Sequence, residues 1–199
     1  LVPAQQGVIE SQTISVCKYL TTVIRTLKLR SGTAGSLPTQ LIKLTPLLTT
    51  LLAARQSYRQ PIAELLAELL TPAAADNTEL SSILGQLNRA ESKSFLDLLS
   101  QLDLPLTDLK TECTIWQFLT AILESSQQYF TMYLLTGSLP KEKYKSGEKA
   151  EARRTILGHA LEQLADIRNM KPARAIAMLH FVAKAQQVWI WATNEVRTK

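Results

Sequence analysis

The residues that most often carry out chemistry are scarce in this sequence. Its 199 residues hold two histidines, His159 and His180, and two cysteines, Cys17 and Cys113. Neither histidine belongs to an HExxH pair, and neither follows a Glu three residues earlier, as a di-iron helix motif requires. No CxxC and no Cys/His cluster is present, so a disulfide or metal centre has no obvious set of residues to use. Each cysteine falls within a helical pattern and reads as a small core thiol in a reducing compartment. His159 has Glu162 one turn beyond it and reads as half of a local surface pair.

Other features are missing too. No run of β-branched and aromatic residues alternates with polar ones, so strands are not expected. No uncharged apolar run approaches the roughly 20 residues of a membrane span, so no membrane insertion is expected. Glycine and proline number only 7 and 8, and charged residues make up 20%, which argues against wholesale disorder. There is no initiating Met, and the opening LVPAQQGV lacks a basic stretch before an apolar run. A cut-out or processed segment without a signal peptide is the expectation.

Patterns that look like catalytic motifs dissolve on inspection. SGTAGS, residues 31–36, is not a phosphate loop, because Pro38 follows it and neither a preceding strand nor GK[ST] is present. Ser138 and Lys141 match SxxK in form, but Pro140 between them and the helix stop at Gly137 indicate a loop. Glu64 and Glu68 stand one turn apart and read as the wet face of an amphipathic helix. No catalytic residue, metal, cofactor or small-molecule substrate is expected, and the chain reads as non-enzymatic.

What is present is helix after helix, with 46% apolar residues to build a core. The first helix is expected over about Gln6–Arg30, with Ile14, Cys17, Ile24 and Leu27 as its apolar stripe. Pro46 divides the run that starts at Leu37, and Pro61 suits the first turn of the next helix. Asn77 or Thr78 is the expected cap of a helix through NTELSSILGQL, followed by a short helix over Ser92–Leu102. The strongest pattern spans about Thr107–Leu135, with a face broad enough to meet helices on more than one side. Helices over about Glu148–Asn169 and from Pro172 onward complete the chain. Ala175, Met178, Leu179, Val182, Ala185 and Trp189 share one face of the last.

The expected fold class is therefore all-α: about eight antiparallel helices in one helical domain or solenoid segment over 1–199, with main internal loops at 71–77 and 136–147. An irregular α-solenoid of the HEAT or armadillo kind is favoured. A closed helical bundle is the alternative.

Charge is uneven. Residues 1–140 carry 10 basic and 11 acidic side chains, and residues 141–199 carry 12 and 6. The densest basic run, Lys141 to Arg154, contains Lys145, Arg153 and Arg154 with Tyr144 among them, partly neutralised by Glu142, Glu148 and Glu151. One interleaved aromatic is little for nucleic-acid stacking. Nucleic-acid binding through 141–199 is thus the alternative to a solvated or protein-contacting surface. Trp116, Tyr129, Phe130 and Trp189 are candidate core or contact aromatics. Trp191 lies about 200° around the helix from Trp189, near the line of His180, Lys184 and Gln187. Trp191 and Lys184, with Tyr144, Lys145, Arg153 and Arg154, are the candidate protein-interface residues.

Two stretches carry a family likeness. FLTAILESSQQYFTMYLLTGSLPKEKYK, residues 118–145, joins an aromatic helix with a Gln pair to a YLLTG ending. AMLHFVAKAQQVWIWATNEV, residues 177–196, ends in a Trp-x-Trp-Ala element. Together they resemble the large α-solenoid scaffold nucleoporins of the inner ring of the nuclear pore, especially their fungal form. The resemblance implies a structural role at the nuclear pore without catalysis. It also implies partners among other nucleoporins, which dock short helical segments.

Overall fold

The computed structural model describes residues 3–32, 35–71, 81–100, 108–125, 127–137 and 155–197, with the backbone alone at 3–4, 31, 100 and 190–197. Helix dominates, and no strand occurs among the described residues. The chain divides into two compact units, 1–95 and 96–199.

The first unit contains α1 (Pro3–Ser31), α2 (Leu37–Leu41), a 3₁₀ turn at Ile42–Leu44, α3 (Thr45–Ala54), α4 (Gln56–Leu70) and α5 (Ile83–Gln86). Pro46 sits in the first turn of α3, where its missing N–H costs nothing. Pro61 departs from expectation: α4 begins five residues earlier, at Gln56, and Pro61 lies inside it. The extra turn is held by burial of Tyr58 and by Glu10 of α1, which accepts from Ser57 and from Arg55 at 2.7 Å. The loop expected at 71–77 beyond Thr71, and the cap expected at Asn77 or Thr78, lie outside the described residues. The helix through NTELSSILGQL is described only as α5, whose N-terminal amide at Gly85 is capped by Ser82.

The boundary falls within α6 (Arg89–Ser100), which starts three residues before the expected position. Asn88 and Glu91 form a reciprocal capping box at 2.9 Å in both directions. The second unit continues with α7 (Leu109–Glu124), α8 (Gln128–Thr136), α9 (Ile156–Leu164), a 3₁₀ turn at Ile167–Asn169 and α10 (Pro172–Arg197). In place of the single long helix expected over 107–135 there are two: α7 ends at Glu124 and α8 begins at Gln128. Ser125 leaves helical geometry and turns its hydroxyl onto the Ile122 carbonyl at 3.0 Å. The hydroxyl of Thr131 also reaches that carbonyl, at 3.4 Å. The Ser125 side chain, competing for a backbone carbonyl, marks this helix end without glycine or proline. Gly137 ends α8 as expected, with φ at 70° and its N–H bonded to Tyr133 O at 2.8 Å. Pro172 opens α10 as expected. The 136–147 loop lies outside the described residues beyond Gly137.

One long pair dominates each unit. In the first, α4 packs on α1 and on α3, burying Ile62, Leu65, Leu66, Leu69 and Leu70. In the second, α7 packs on α10 and α8, burying Ile115, Phe118, Leu119, Ile122 and Leu123. The 107–135 run therefore meets α10 through both α7 and α8, and α9 through α8. Both long pairs run parallel. Glu10 of α1 meets Arg55, Arg25 meets Glu64 and Glu68 at 3.6 and 3.2 Å, and Lys28 meets Glu68 at 3.3 Å. Partner numbers rise together along both helices. Likewise Glu112 of α7 meets Arg174 at 3.5 Å, and Glu124 meets Lys184 at 2.8 Å. Both pairs join helices that are not neighbours in sequence, with shorter elements between them in the chain. Up-and-down bundles set sequential helices antiparallel, whereas parallel long neighbours are the same-layer relation of stacked helix pairs.

Candidate protein interface

The aromatic residues divide into those that hold a unit together and those that face outward. Trp116 is in the core. Its ring lies 5.2 Å from Phe181 of α10, tilted 58°, and 6.3 Å from His159 of α9, stacked at 15°. His159 is buried in this layer rather than on the surface beside Glu162, since it shares the inner face of α9 with Ile156 and Ala160. Phe130 is also fully buried, edge-on to Phe118 at 6.4 Å. Tyr129, its sequence neighbour, points outward and is 56% exposed.

On α10, Ala175, Met178, Val182 and Ala185 are buried as the periodicity predicts. Leu179 and Trp189, expected on the same face, are 46% and 41% exposed. The buried arc centres instead on Met178, Phe181 and Ala185, which leaves Leu179 on its rim. Lys184 is half-buried and committed to Glu124. Trp191 lies within α10, but its side chain is outside the described residues, as are Tyr144, Lys145, Arg153 and Arg154 altogether.

Glu64 and Glu68 are not on a wet face. They line the seam with α1, because Arg25 and Lys28 face them. Lys28 does more than pair: its ammonium donates to the Glu68 carbonyl and to the Thr71 carbonyl, the latter at 2.7 Å. A cation from α1 thus satisfies the last carbonyls of α4, where the helix dipole favours positive charge.

Local electrostatics are those of caps and cores. Asp108 caps α7, accepting from the amides of Lys110 and Thr111 at 3.2 and 3.1 Å. The Thr111 hydroxyl and then these amides hold its carboxyl below the usual range. The hydroxyl of Ser57 and the guanidinium of Arg55 do the same for Glu10. Burial pushes the thiols of Cys17 and Cys113 up, away from nucleophilic character. Among the described residues, no three His, Cys, Asp or Glu side chains gather to hold a metal ion. No described helix is long and apolar enough to cross a membrane.

Two features were missed in the sequence. Phe181, at the centre of the α10 face, stands three residues from Met178 and carries its own signal. The second is an outward apolar stripe on α1 containing Val8, Ile9, Val16 and Tyr19. Its members recur at helical spacing, beside the Cys17–Ile24 stripe that is buried.

Each unit is thus a set of packed helices joined by a charged seam, with Tyr129 and Trp189 left partly outward. Residues 5–138 match the sequence model of Nucleoporin Nup188, N-terminal subdomain III. The chain belongs to the Nup188 nucleoporin family. The matched region runs from α1 through α8. The chain is also similar to Nucleoporin NUP188 of Chaetomium thermophilum, at 31% identity over 205 residues. That similarity covers 99% of this chain, α9 and α10 included, and 11% of the relative. The chain thus spans about a ninth of the length of this Nup188 relative.

Proposed function

We propose that these residues form one segment of a longer structural scaffold chain of the nuclear pore complex. The segment supports nucleocytoplasmic transport through helix-mediated contacts with other pore components. Membership of the Nup188 family carries this reading. The parallel long-helix pairs support it, since such stacking leaves outer helix faces available to neighbours. Docked partners would place an amphipathic helix against an apolar face. Tyr129 and Trp189, both partly exposed, are contact candidates in this scheme, together with Trp191 and the basic residues Lys145, Arg153 and Arg154. The role is non-enzymatic and uses no cofactor. A nucleic-acid role would rest on the charge of 141–199 alone.

The test is affinity purification of the tagged longer chain from nuclear extract. Recovery of other pore components in near-stoichiometric amounts, stable to added salt, is expected. Recovery of nucleic acid instead, falling steeply as salt is raised, would replace this reading with the nucleic-acid one.

A further inference from the structure

The turn that starts α4 is held from outside as much as by its own hydrogen bonds. Pro61 lacks an N–H, so the Ser57 carbonyl four residues earlier receives no helical bond from it. Arg55, just before the helix, is already extended. The Glu10 carboxylate of α1 fixes the turn: it accepts from the Ser57 hydroxyl and, at 2.7 Å, from the Arg55 guanidinium. Unwinding from Arg55 to Pro61 then costs mainly these contacts and the burial of Tyr58. Ser57 itself is exposed. It is the one hydroxyl residue in the sequence with a basic residue both two before it and two after it, Arg55 and Arg59, and no acidic residue occurs between Glu10 and Glu64. On the helix, Ser57 and Arg59 point about 200° apart. In an extended chain, residues two apart line one face, so unwinding sets both guanidiniums on the side of the Ser57 hydroxyl. The folded turn makes little use of Arg59, whose Nε is buried without a hydrogen-bond partner.

We propose that Ser57 is a phosphorylation site for a protein kinase with an acidic substrate cleft, and that the modification unclasps the N-terminal part of α1 from α4. In the transfer, Ser57 Oγ attacks the γ-phosphorus of ATP and the bond from that phosphorus to the β,γ-bridging oxygen breaks. ADP leaves, and the hydroxyl proton passes to the kinase's base. The esterified Oγ no longer donates to Glu10. The phosphate, with a charge of about −2, repels that carboxylate and competes with it for Arg55. In the first turn of α4 the phosphate is favoured by the helix dipole, so Glu10 loses both partners while α4 persists. At the other end of α1, Arg25 and Lys28 still meet Glu64 and Glu68.

The test incubates the full longer chain with ATP and the catalytic domain of a protein kinase C, a serine/threonine kinase selective for basic flanks. Phosphate is located by mass spectrometry of the peptide containing Ser57, and circular dichroism checks each variant for native helix content. Ser57 should be phosphorylated. Arg59→Ala should slow incorporation there at least about fivefold, since it removes a charge-assisted contact to the cleft. Glu10→Ala leaves the recognition residues intact but loosens the turn, and should speed incorporation at least about threefold by raising the competent fraction. In the Ser57-phosphorylated chain, amide hydrogen exchange over residues 5–16 should quicken at least about tenfold, with residues 62–70 unchanged. Absence of phosphate at Ser57 would overturn the proposal, as would incorporation indifferent to Arg59→Ala. Phosphorylation that leaves exchange over 5–16 unchanged would overturn the unclasping.

Discussion

Trp116 and Tyr129 both read as core or contact aromatics in the sequence; one is core and the other outward. Periodicity places each on a helix but does not reveal where α7 ends and α8 begins, and that break sets the two faces. Trp116→Ala and Phe181→Ala should each destabilise the second unit by about 3–5 kcal/mol. Tyr129→Ala should change stability by less than about 0.5 kcal/mol. Denaturant unfolding curves would show the contrast, and equal losses would refute this assignment. Buried threonines were also illegible. Thr21 and Thr120 look polar in a pattern, but their hydroxyls donate to the carbonyls four residues earlier, at 2.9 Å each, and enter the core satisfied. At Asp108 the prediction concerns pH. Its folded-state pKa lies below the unfolded value, so its contribution is complete above the ordinary carboxylate range near pH 4. That contribution is lost as pH falls through the folded value. Asp108→Asn should flatten the acid limb of a stability–pH curve, and an unchanged limb would argue against the cap.

Between elements, the decisive contacts are seams of opposite charge joining parallel helices. Lys28 and Glu68 are nearly enclosed, with side chains 11% and 14% exposed, and Lys28 also closes the end of α4. Lys28→Ala leaves a carboxylate and helix-end carbonyls without that partner, and should cost about 2 kcal/mol. Arg25 is half-exposed, so Arg25→Ala should cost under about 1 kcal/mol. Thermal melts of the two variants would rank them, and the reverse order would contradict the capping role of Lys28. Gly137→Ala forces a side chain into the left-handed region at φ 70° and should cost about 1 kcal/mol. Helix boundaries carried by glycine or proline, the stop at Gly137 and the start at Pro172, were readable. Stops and starts set by long-range partners were not. The early start of α4 depends on Glu10, forty-five residues before Arg55.

For the whole molecule, the all-α class and the nucleoporin likeness were legible, the first from periodicity and the second from two packing motifs. Both long pairs running parallel was not legible, because direction depends on how short intervening elements return the chain. The parallel pair within each unit and the family membership both support the proposed scaffold role. A scaffold segment should stay where it is assembled. The most direct measurement is fluorescence recovery of the tagged longer chain at the nuclear rim of living cells. Punctate rim fluorescence is expected, with almost no recovery over an interval in which a freely diffusing protein recovers fully. Diffuse fluorescence, or rapid and complete recovery at the rim, would contradict it.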